Sequence, residues 1–432
     1  MNYFVYIIYW IIMFIFPLWG TKNGNQLTIH LDNQQQQKMN LLCGLIKPTP
    51  LVKELTEYIK QDIACPQQKL MGFNTIMQEF ESIPSKKICK QLANQGYSVA
   101  LFFQPVGGDG LEWRLYDMGT LSMQKGKKVT INKSTQLEKK AHQIADTVWE
   151  LLTGQPGIFS THISYCRERK VKNHAVTDIY YKSPTSTQQH CLVKGGKLLG
   201  PRWNNNKKNP LLLYSEVTPT NIRLMATNLQ GNRSLLSNVD GLTMLPSVSD
   251  NGEYTVFCTT YKGTSQIYCS TFDQKTKRRI AYRKTHNAGN NTSPTVCNNG
   301  DIIFCSDYEM KTPQIYYLHN DTHALERITD GGYCACPHYC QKNNKIVYCK
   351  LVEGYMQLFT YDLKTKQHRQ ITFSKENKDE CCWSPCGNYI TFSVDKQKGS
   401  RIAVLNMITN EQFFITVENN SCFYPSWSGV LS

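Results

Sequence analysis

Tyr424-Pro425-Ser426-Trp427 is the last of six related tetrapeptides in the second part of the chain. Measured at their second residue, the tetrapeptides recur every 43 to 48 residues. A fixed period of this length is typical of a repeat architecture, in which each repeat is one supersecondary unit. The other five copies are Gly200-Pro201-Arg202-Trp203, Leu245-Pro246-Ser247-Val248, Ser293-Pro294-Thr295-Val296, Cys336-Pro337-His338-Tyr339 and Glu380-Cys381-Cys382-Trp383.

A second periodic position confirms this alignment of the repeats. It lies 21 residues after the second tetrapeptide residue in five copies, and it is occupied by Ile222, Ile267, Ile315, Leu358 and Ile402. Each unit contains four short apolar segments separated by polar turns, which predicts four strands in about 45 residues, the signature of a β-propeller blade. The sequence therefore predicts a mainly β fold built from blades.

The last tetrapeptide predicts how the ring closes. Pro425-Ser426-Trp427 has the position of a first strand, but no further unit follows it. Three strand-like segments without a first strand precede the first full unit, at His162–Cys166, Asp178–Lys182 and Gln189–Val193. We expect the C-terminal strand to complete this blade, which gives a six-bladed β-propeller over residues 156–432.

The residues before the propeller predict a small α/β domain over residues 21–155. Helical spacing or capping marks Leu51–Asp62, Ile83–Gly96 and Ser134–Thr153, and strand patterns mark Tyr97–Gln104 and Glu112–Asp117. The apolar segment Met1–Gly20 is predicted to be an export signal, with a retained membrane anchor as the alternative. The polar residues that follow it are predicted to form a mobile N-terminal arm that includes Thr21, Lys22, Asn23, Gly24, Asn25 and Gln26.

Composition and motifs argue against several functional classes. The formal net charge is +15, but the Lys and Arg residues are scattered and no nucleic-acid-binding motif is present, so no nucleic-acid partner is expected. The 17 cysteines do not have metal-ligand spacing; even Cys334–Cys340 fits buried strand positions better, with one or two disulfides in the chain. Neither a G-x-S-x-G nor an H-E-x-x-H motif occurs. We therefore expect no metal, no cofactor and no enzymatic activity.

The segment between the two predicted domains resembles a known family. Residues 140–165 read KAHQIADTVWELLTGQPGIFSTHISY, which is similar to the AH-x-IAD…LTG-x-x-G-x-F-x-T-R-I-AY junction of the TolB family, with His162 at the family's Arg position. Trp383-Ser384-Pro385-Cys386-Gly387 resembles the family's W-S-P-D-G blade motif, with Cys in place of Asp. His142 and Asp146 lie one turn apart on the predicted helix, and we expect them to bind the following loop rather than to act in catalysis.

The resemblance implies a function as well as a fold. It implies a monomeric periplasmic protein, peripheral to the envelope membranes, whose propeller binds the lipoprotein Pal. It also implies that the N-terminal arm engages the inner-membrane protein TolA, in support of outer-membrane integrity and cell division. The alternatives are a divergent envelope propeller that binds another ligand and, from the similarity of the blades, the propeller of a peptidase-like enzyme.

Blade geometry predicts which loops form the binding face. The connections between successive blades open on the same side as the middle loop of each blade, so they form one ring of loops. The predicted partner-binding residues on this ring are Asp240, Gly241, Tyr261, Lys262, His286, Asn287, Asn290, Tyr308, Glu309, Asp330, Gly331, Glu353, Lys375, Asn377, Asp379, Lys396, Gln397, Glu418 and Asn419.

Overall fold

The structure is a computed structural model of the 432-residue chain. It describes residues 40–64, 73–131, 137–172, 174–204, 209–236, 241–261, 263–276, 278–397, 399–417 and 421–431. The predicted export signal, the N-terminal arm and Ser134 lie outside these ranges. Within them, no helix is both long enough and apolar enough to cross a membrane.

The first part of the chain forms a five-stranded sheet with three helices. Its elements are β1 (Asn40–Ile46), α1 (Pro50–Ile63), β2 (Asn74–Phe80), α2 (Lys86–Asn94), β3 (Tyr97–Val106), β4 (Gly110–Asp117), β5 (Ser122–Thr130) and α3 (Leu137–Thr153). The strand order is β2-β1-β3-β4-β5. Strand β1 pairs in parallel with β2 and β3, whereas β3, β4 and β5 are successively antiparallel.

Local sequence explains most of these elements. Helix α1 begins where the Thr49 side chain accepts a hydrogen bond from Val52 N–H and Pro50 occupies the first turn. The apolar faces of α1 and α3 pack on the sheet in one buried core. Strands β1, β2 and β5 were not among the predicted strands. The segment Leu41–Gly44, which superficially resembles a lipoprotein box, lies within β1, an internal strand of the sheet, and Cys43 is fully buried.

The described residues after α3 form only strands and their connections. In chain order, the strands are β6 (Ile163–Val171), β7 (His174–Lys182), β8 (His190–Val193), β9 (Lys197–Trp203), β10 (Leu211–Val217), β11 (Ile222–Asn228), β12 (Arg233–Leu235), β13 (Leu242–Val248), β14 (Thr255–Tyr261), β15 (Thr264–Asp273), β16 (Arg278–Arg283), β17 (Asn291–Val296), β18 (Ile302–Ser306), β19 (Gln314–Leu318), β20 (Leu325–Arg327), β21 (Cys334–Cys340), β22 (Lys345–Val352), β23 (Tyr355–Asp362), β24 (His368–Gln370), β25 (Lys378–Trp383), β26 (Tyr389–Lys396), β27 (Gly399–Asn406), β28 (Gln412–Phe414) and β29 (Ser421–Trp427).

These strands form six four-stranded sheets, which confirms the predicted six-bladed propeller. Blades one to five are β9–β12, β13–β16, β17–β20, β21–β24 and β25–β28, with the innermost strand first. Blade six combines the two ends of the propeller in the order β29-β6-β7-β8, as predicted. In this blade Trp427 pairs with Ile163, and the Trp427 indole N–H donates to the Thr161 hydroxyl at 2.8 Å.

Each innermost strand is interrupted by a β-bulge at the repeated tetrapeptide. The register shifts there in all six blades. The first residue of each tetrapeptide has a φ between 50° and 56°, although only one of the six is glycine. Such a φ strains residues with a side chain, and it persists only where the surrounding structure enforces it. The strained residues are Leu245, Ser293, Cys336, Glu380 and Tyr424.

The junction between the two parts depends on Asp146, as the sequence predicted. Its carboxylate accepts hydrogen bonds from Phe159 N–H at 2.8 Å and from Ser160 N–H at 3.1 Å. A Cβ atom at Gly157 would lie only 2.2 Å from Asp146 Oδ1, so this close approach requires glycine. The prediction for His142 was wrong, because His142 contacts Asp62 of α1 instead of the following loop.

The α/β domain contacts the propeller on one side of the ring. Asp62 accepts a hydrogen bond from the Thr185 hydroxyl at 2.7 Å, and Asn388 donates to Gln155 at 2.9 Å. Thr185 lies between the third and fourth strands of blade six, and Asn388 lies between the first and second strands of blade five. We call this side the junction face. Its opposite, the loop face, carries the middle loop of each blade and the connections between blades.

Candidate functional site

The loop face contains most of the predicted partner-binding residues that the structure describes. The exposed ones are His286, Asn290, Tyr308, Glu309, Asp330, Glu353, Lys375 and Gln397. Those of intermediate exposure are Gly241, Asn287, Gly331, Asn377 and Lys396. Asp240, Lys262, Glu418, Asn419 and the side chain of Tyr261 lie outside the described residues.

Several of these side chains hold neighbouring loops together. Asn290 donates through its backbone and side-chain nitrogens to Asp307, at 2.7 and 3.0 Å. Glu309 accepts from Arg327 at 2.8 Å. The Asn377 side chain accepts from Met356 N–H at 3.0 Å. These groups shape the loop face through contacts within the chain, so they are not all available to a partner.

Asp379 was predicted to lie in a loop of the binding face, but the structure places it elsewhere. Asp379 is part of strand β25, not of a loop, and it lines the central channel beside the bulge of blade five. Its side chain accepts from the backbone N–H of Glu380 at 2.8 Å. Asp379 therefore belongs to the mouth of the channel at the loop face.

A repeated Gln–Thr pair, which we did not predict, fixes the connections between blades. In blade four, Gln357 donates to the carbonyl oxygens of Ser374 and Glu376, at 2.8 and 3.1 Å. Thr372 donates to the Gln357 side-chain oxygen at 2.9 Å and accepts from Leu358 N–H at 2.8 Å. The equivalent pairs are Gln266 with Thr285 and Gln314 with Thr329. The recurrence of Gln before the periodic Ile or Leu was the available sequence signal.

Replacement of Thr372 with valine should loosen one of these connections. Valine keeps the side-chain shape but leaves Leu358 N–H and the Gln357 oxygen without their buried partner, at a cost of about 1–3 kcal/mol. We expect faster hydrogen–deuterium exchange in residues 371–378, measured by mass spectrometry. Thr365→Val, at an exposed turn on the junction side of the same blade, is the matched control and should exchange like the wild type. Unchanged exchange in both variants would contradict this role.

The loop face also carries exposed apolar side chains that we did not predict as binding residues. Phe373 and Val417 are 76% and 67% exposed, and both lie in connections between blades. Others on the same face are Val171, Leu242, Tyr333 and Leu351, in addition to the predicted Tyr308. We call these seven residues the apolar rim. Exposed apolar groups on a monomer, when they lie close together and are bordered by polar residues, mark interaction sites.

The central channel is lined by the bulges of the innermost strands. A cavity of about 210 Å³ is lined by bulge residues of all six blades and by Arg202. The Arg202 guanidinium donates to the carbonyl oxygens of Pro201 and Pro425 at 2.9 and 3.2 Å, which ties blade one to blade six. Burial raises the pKa of Glu380 to about 8, although Tyr424 N–H and the Ser393 hydroxyl donate to its carboxylate.

A Cys–His pair next to the channel does not have the geometry of an activated nucleophile. His338 Nδ1 accepts from Trp383 N–H at 3.3 Å, so the proton of the neutral ring is on Nε2. Nε2 lies 3.4 Å from Cys382 Sγ and donates to it, so it cannot take the thiol proton. Burial also lowers the pKa of His338 to about 3 and raises the pKa of Cys382. Both shifts disfavour a thiolate–imidazolium pair.

Comparison with known families identifies the architecture. A family model described as the TolB beta propeller domain matches residues 149–431, which is more than half of the chain. The chain belongs to the TolB propeller family. The family resemblance inferred from the junction is thus confirmed.

Individual members of the TolB family align with different shares of the chain. The Tol-Pal system protein TolB of Gluconobacter oxydans is 27% identical over 194 residues, which cover 44% of this chain and 42% of that protein. The TolB of Francisella tularensis is 23% identical over 67% of this chain and 68% of its own length. The crystal structure of TolB from Acinetobacter baumannii superposes with a TM-score of 0.73 at 18% identity, over 91% of this chain and 97% of that one.

This TolB family member departs from the family pattern at His162. The imidazole packs against Tyr181 with ring centroids 5.5 Å apart, and its Nδ1 atom is buried without a hydrogen-bond partner. Burial lowers the pKa of His162 to about 4. The residue is therefore neutral at pH 7, whereas the arginine of the family pattern would carry a charge at this position.

The cysteines of this TolB family member are free thiols throughout the described residues. Sixteen are described and none is in a disulfide, whereas Cys65 lies outside the described ranges. The expectation of one or two disulfides is therefore not met among them. Most of the sixteen are buried in strands, as the repeat positions predicted. Within the part of the chain that is described, no cluster of three His, Cys, Asp or Glu residues could hold a metal ion.

Proposed function

We propose that the chain is a non-enzymatic periplasmic scaffold of a Tol-Pal system. Its propeller binds a Pal-like lipoprotein, and its N-terminal arm engages a TolA-like inner-membrane protein. This coupling supports outer-membrane integrity and constriction at cell division. Membership in the TolB family and the Tol-Pal names of its relatives support the assignment to this system. The apolar segment Met1–Gly20 supports an exported location.

The observation that carries the proposal is the position of the apolar rim. The α/β domain contacts the propeller through the junction face, whereas the apolar rim lies on the opposite face, in the middle loops, the connections between blades and the adjoining strand ends. The rim combines aromatic and aliphatic side chains with polar neighbours such as Asn290 and Lys375. An apolar centre bordered by polar groups is the usual composition of a protein–protein interface.

The framework beneath the apolar rim favours binding of a folded partner. The Gln–Thr pairs fix three successive connections between blades. Lys378 strengthens one of them, because its ammonium group donates to the carbonyl oxygens of Ser374 and Glu376, at 2.9 and 2.6 Å. A surface ordered before binding loses less conformational entropy when the partner docks. The loop face is therefore suited to rigid-body recognition.

The geometry near the channel supports a role without catalysis. The most suggestive pair, His338 with Cys382, has the ring proton on the nitrogen that would have to act as the base. A nucleophilic cysteine requires an adjacent general base or a lowered thiol pKa, and Cys382 has neither from this histidine. The channel is better described as the floor of a docking surface.

The apolar rim makes the docking proposal testable. The double variant Phe373→Ser/Val417→Ser should weaken binding of the soluble domain of a Pal-like lipoprotein by about 30-fold, because interface hot spots contribute roughly 2 kcal/mol or more. Binding is measured by isothermal titration calorimetry with the two purified proteins from the same organism.

Ile408→Ser is the matched control for this experiment. Ile408 is 57% exposed but lies between the third and fourth strands of blade five, on the junction face. It should leave the affinity unchanged. Equal affinity of the wild type and the double variant would refute docking through the apolar rim. Failure of the wild type to bind any Pal-like lipoprotein would favour the alternative, a divergent envelope propeller with another ligand.

A further inference from the structure

Three cysteine thiols lie together between blades four and five. Cys349 Sγ is 3.8 Å from Cys381 Sγ, and Cys349 is close enough to Cys336 to raise the pKa of the Cys336 thiol. Cys381 in turn donates to the carbonyl oxygen of Cys336 at 3.3 Å. Cys336 and Cys349 belong to β21 and β22 of blade four, whereas Cys381 belongs to β25 of blade five. The group, which we call the thiol cluster, therefore spans two blades.

The thiol cluster has one member that faces the channel. Cys336 is half-buried and lines the cavity of about 210 Å³, beside Glu380 and Tyr424. Cys349 and Cys381 are buried behind it. A small solute that enters the channel from the loop face therefore reaches Cys336 before it can reach Cys349 or Cys381. Cys336 is also one of the strained bulge residues, with a φ of 52°.

We propose that the thiol cluster is an oxidation site at which a peroxide produces a disulfide between blades four and five. The Cys336 sulfur attacks one peroxide oxygen, which forms a sulfenic acid and releases water or an alcohol as the O–O bond breaks. The Cys349 sulfur then displaces the sulfenic oxygen as water, which forms a Cys336–Cys349 disulfide. Two thiols are oxidised by two electrons and one peroxide is reduced.

The third thiol, Cys381, converts the disulfide within blade four into a disulfide between blades four and five. The Cys381 sulfur attacks the Cys349 sulfur, 3.8 Å away, and releases the Cys336 thiol. The product is a Cys349–Cys381 disulfide, which joins β22 of blade four to β25 of blade five. Cys336 is then free again to face the channel. No atom or electron is gained or lost in this exchange.

The reaction should depend strongly on pH. The hydrogen bond to Cys349, together with burial, raises the pKa of Cys336 well above its usual range. Because the thiolate is the reacting form, oxidation should be slow at neutral pH and should accelerate as the pH rises. The exposed Cys191 lies outside the thiol cluster and provides an internal reference for alkylation of accessible thiols.

Peptide mapping of the full-length folded protein tests this proposal. The reduced protein is treated with hydrogen peroxide at alkaline pH, the remaining thiols are alkylated and the peptides are identified by mass spectrometry. We expect the Cys349–Cys381 peptide pair in the wild type and the Cys336–Cys349 pair in Cys381→Ser. Cys336→Ser should form the cross-link at least about tenfold more slowly, because the channel-facing sulfur is absent.

Matched controls separate the thiol cluster from general cysteine oxidation. Cys297→Ser removes a buried cysteine that follows β17, outside the cluster, and should cross-link like the wild type, with circular dichroism confirming the fold of each variant. The proposal is overturned if the wild-type cluster stays reduced, or if Cys336 is oxidised to sulfinic acid without a cross-link. It is equally overturned if Cys336→Ser reacts as fast as the wild type.

Discussion

Trp427→Ala is expected to lower the melting temperature of the protein by about 10 °C, which corresponds to roughly 3–5 kcal/mol for loss of a buried tryptophan. Trp427 is buried in the closing strand β29, where its ring packs against Tyr389 with centroids 5.9 Å apart. The substitution also removes the indole donor to Thr161. It creates a cavity where the two ends of the propeller meet.

Differential scanning fluorimetry measures this effect, with Phe373→Ala as the control. Phe373→Ala also removes an aromatic ring, but this side chain is mostly exposed. The melting temperature of the variant should therefore remain within about 1 °C of the wild type. If Trp427→Ala melted like the control, the closing strand would not hold the ring together.

The His142–Asp62 pair is expected to make the α/β domain less stable at alkaline pH. His142 Nδ1 lies 2.6 Å from an Asp62 oxygen, and Nε2 lies 3.6 Å from Glu138. Burial alone would lower the pKa of His142, but these two carboxylates outweigh it and raise the pKa from 6.5 to about 9. A raised pKa in the folded state adds stability that is fully present below pH 6.5 and is lost as the pH rises through 9.

The expected loss over this pH range is about 3 kcal/mol from this histidine. This loss is measured by unfolding the protein in urea, with hydrogen–deuterium exchange of peptides from α1 and α3 as the probe for the α/β domain. His142→Gln should be less stable below pH 7 and should show a flatter pH dependence. His286→Gln, at an exposed histidine of the propeller, should behave like the wild type. Parallel pH profiles for wild type and His142→Gln would contradict the assignment.

Repetition is the reason that the propeller could be predicted from sequence. Each blade repeats the same bulge and the same buried strand positions, so six weak signals reinforced one another. The closing strand was predicted because Pro425-Ser426-Trp427 matched a first strand. The α/β domain has no such repetition: β2 and β5 are mostly exposed, and β1 is a short apolar run without a strand-specific period.

The candidate site was predictable only in its location. Blade geometry predicted the loop face and Tyr308, but not the other six residues of the apolar rim, because sequence alone does not distinguish exposed residues such as Phe373 and Val417 from buried ones. The pairing of His142 with Asp62 joins residues 80 positions apart and has no spacing signal. The thiol cluster likewise depends on the packing of two blades, which the periodic cysteine positions do not specify.

The split composition of blade six has a consequence for how the chain is made. Strands β6, β7 and β8 are synthesised before the other strands of the propeller, whereas their partner β29 follows only after the strands of the five other blades. Until then the inner edge of β6 has unpaired backbone groups, which can template association with other chains. The nascent propeller must therefore be protected from its neighbours until β29 is made, and a chain truncated before β29 would be prone to aggregation rather than merely shorter.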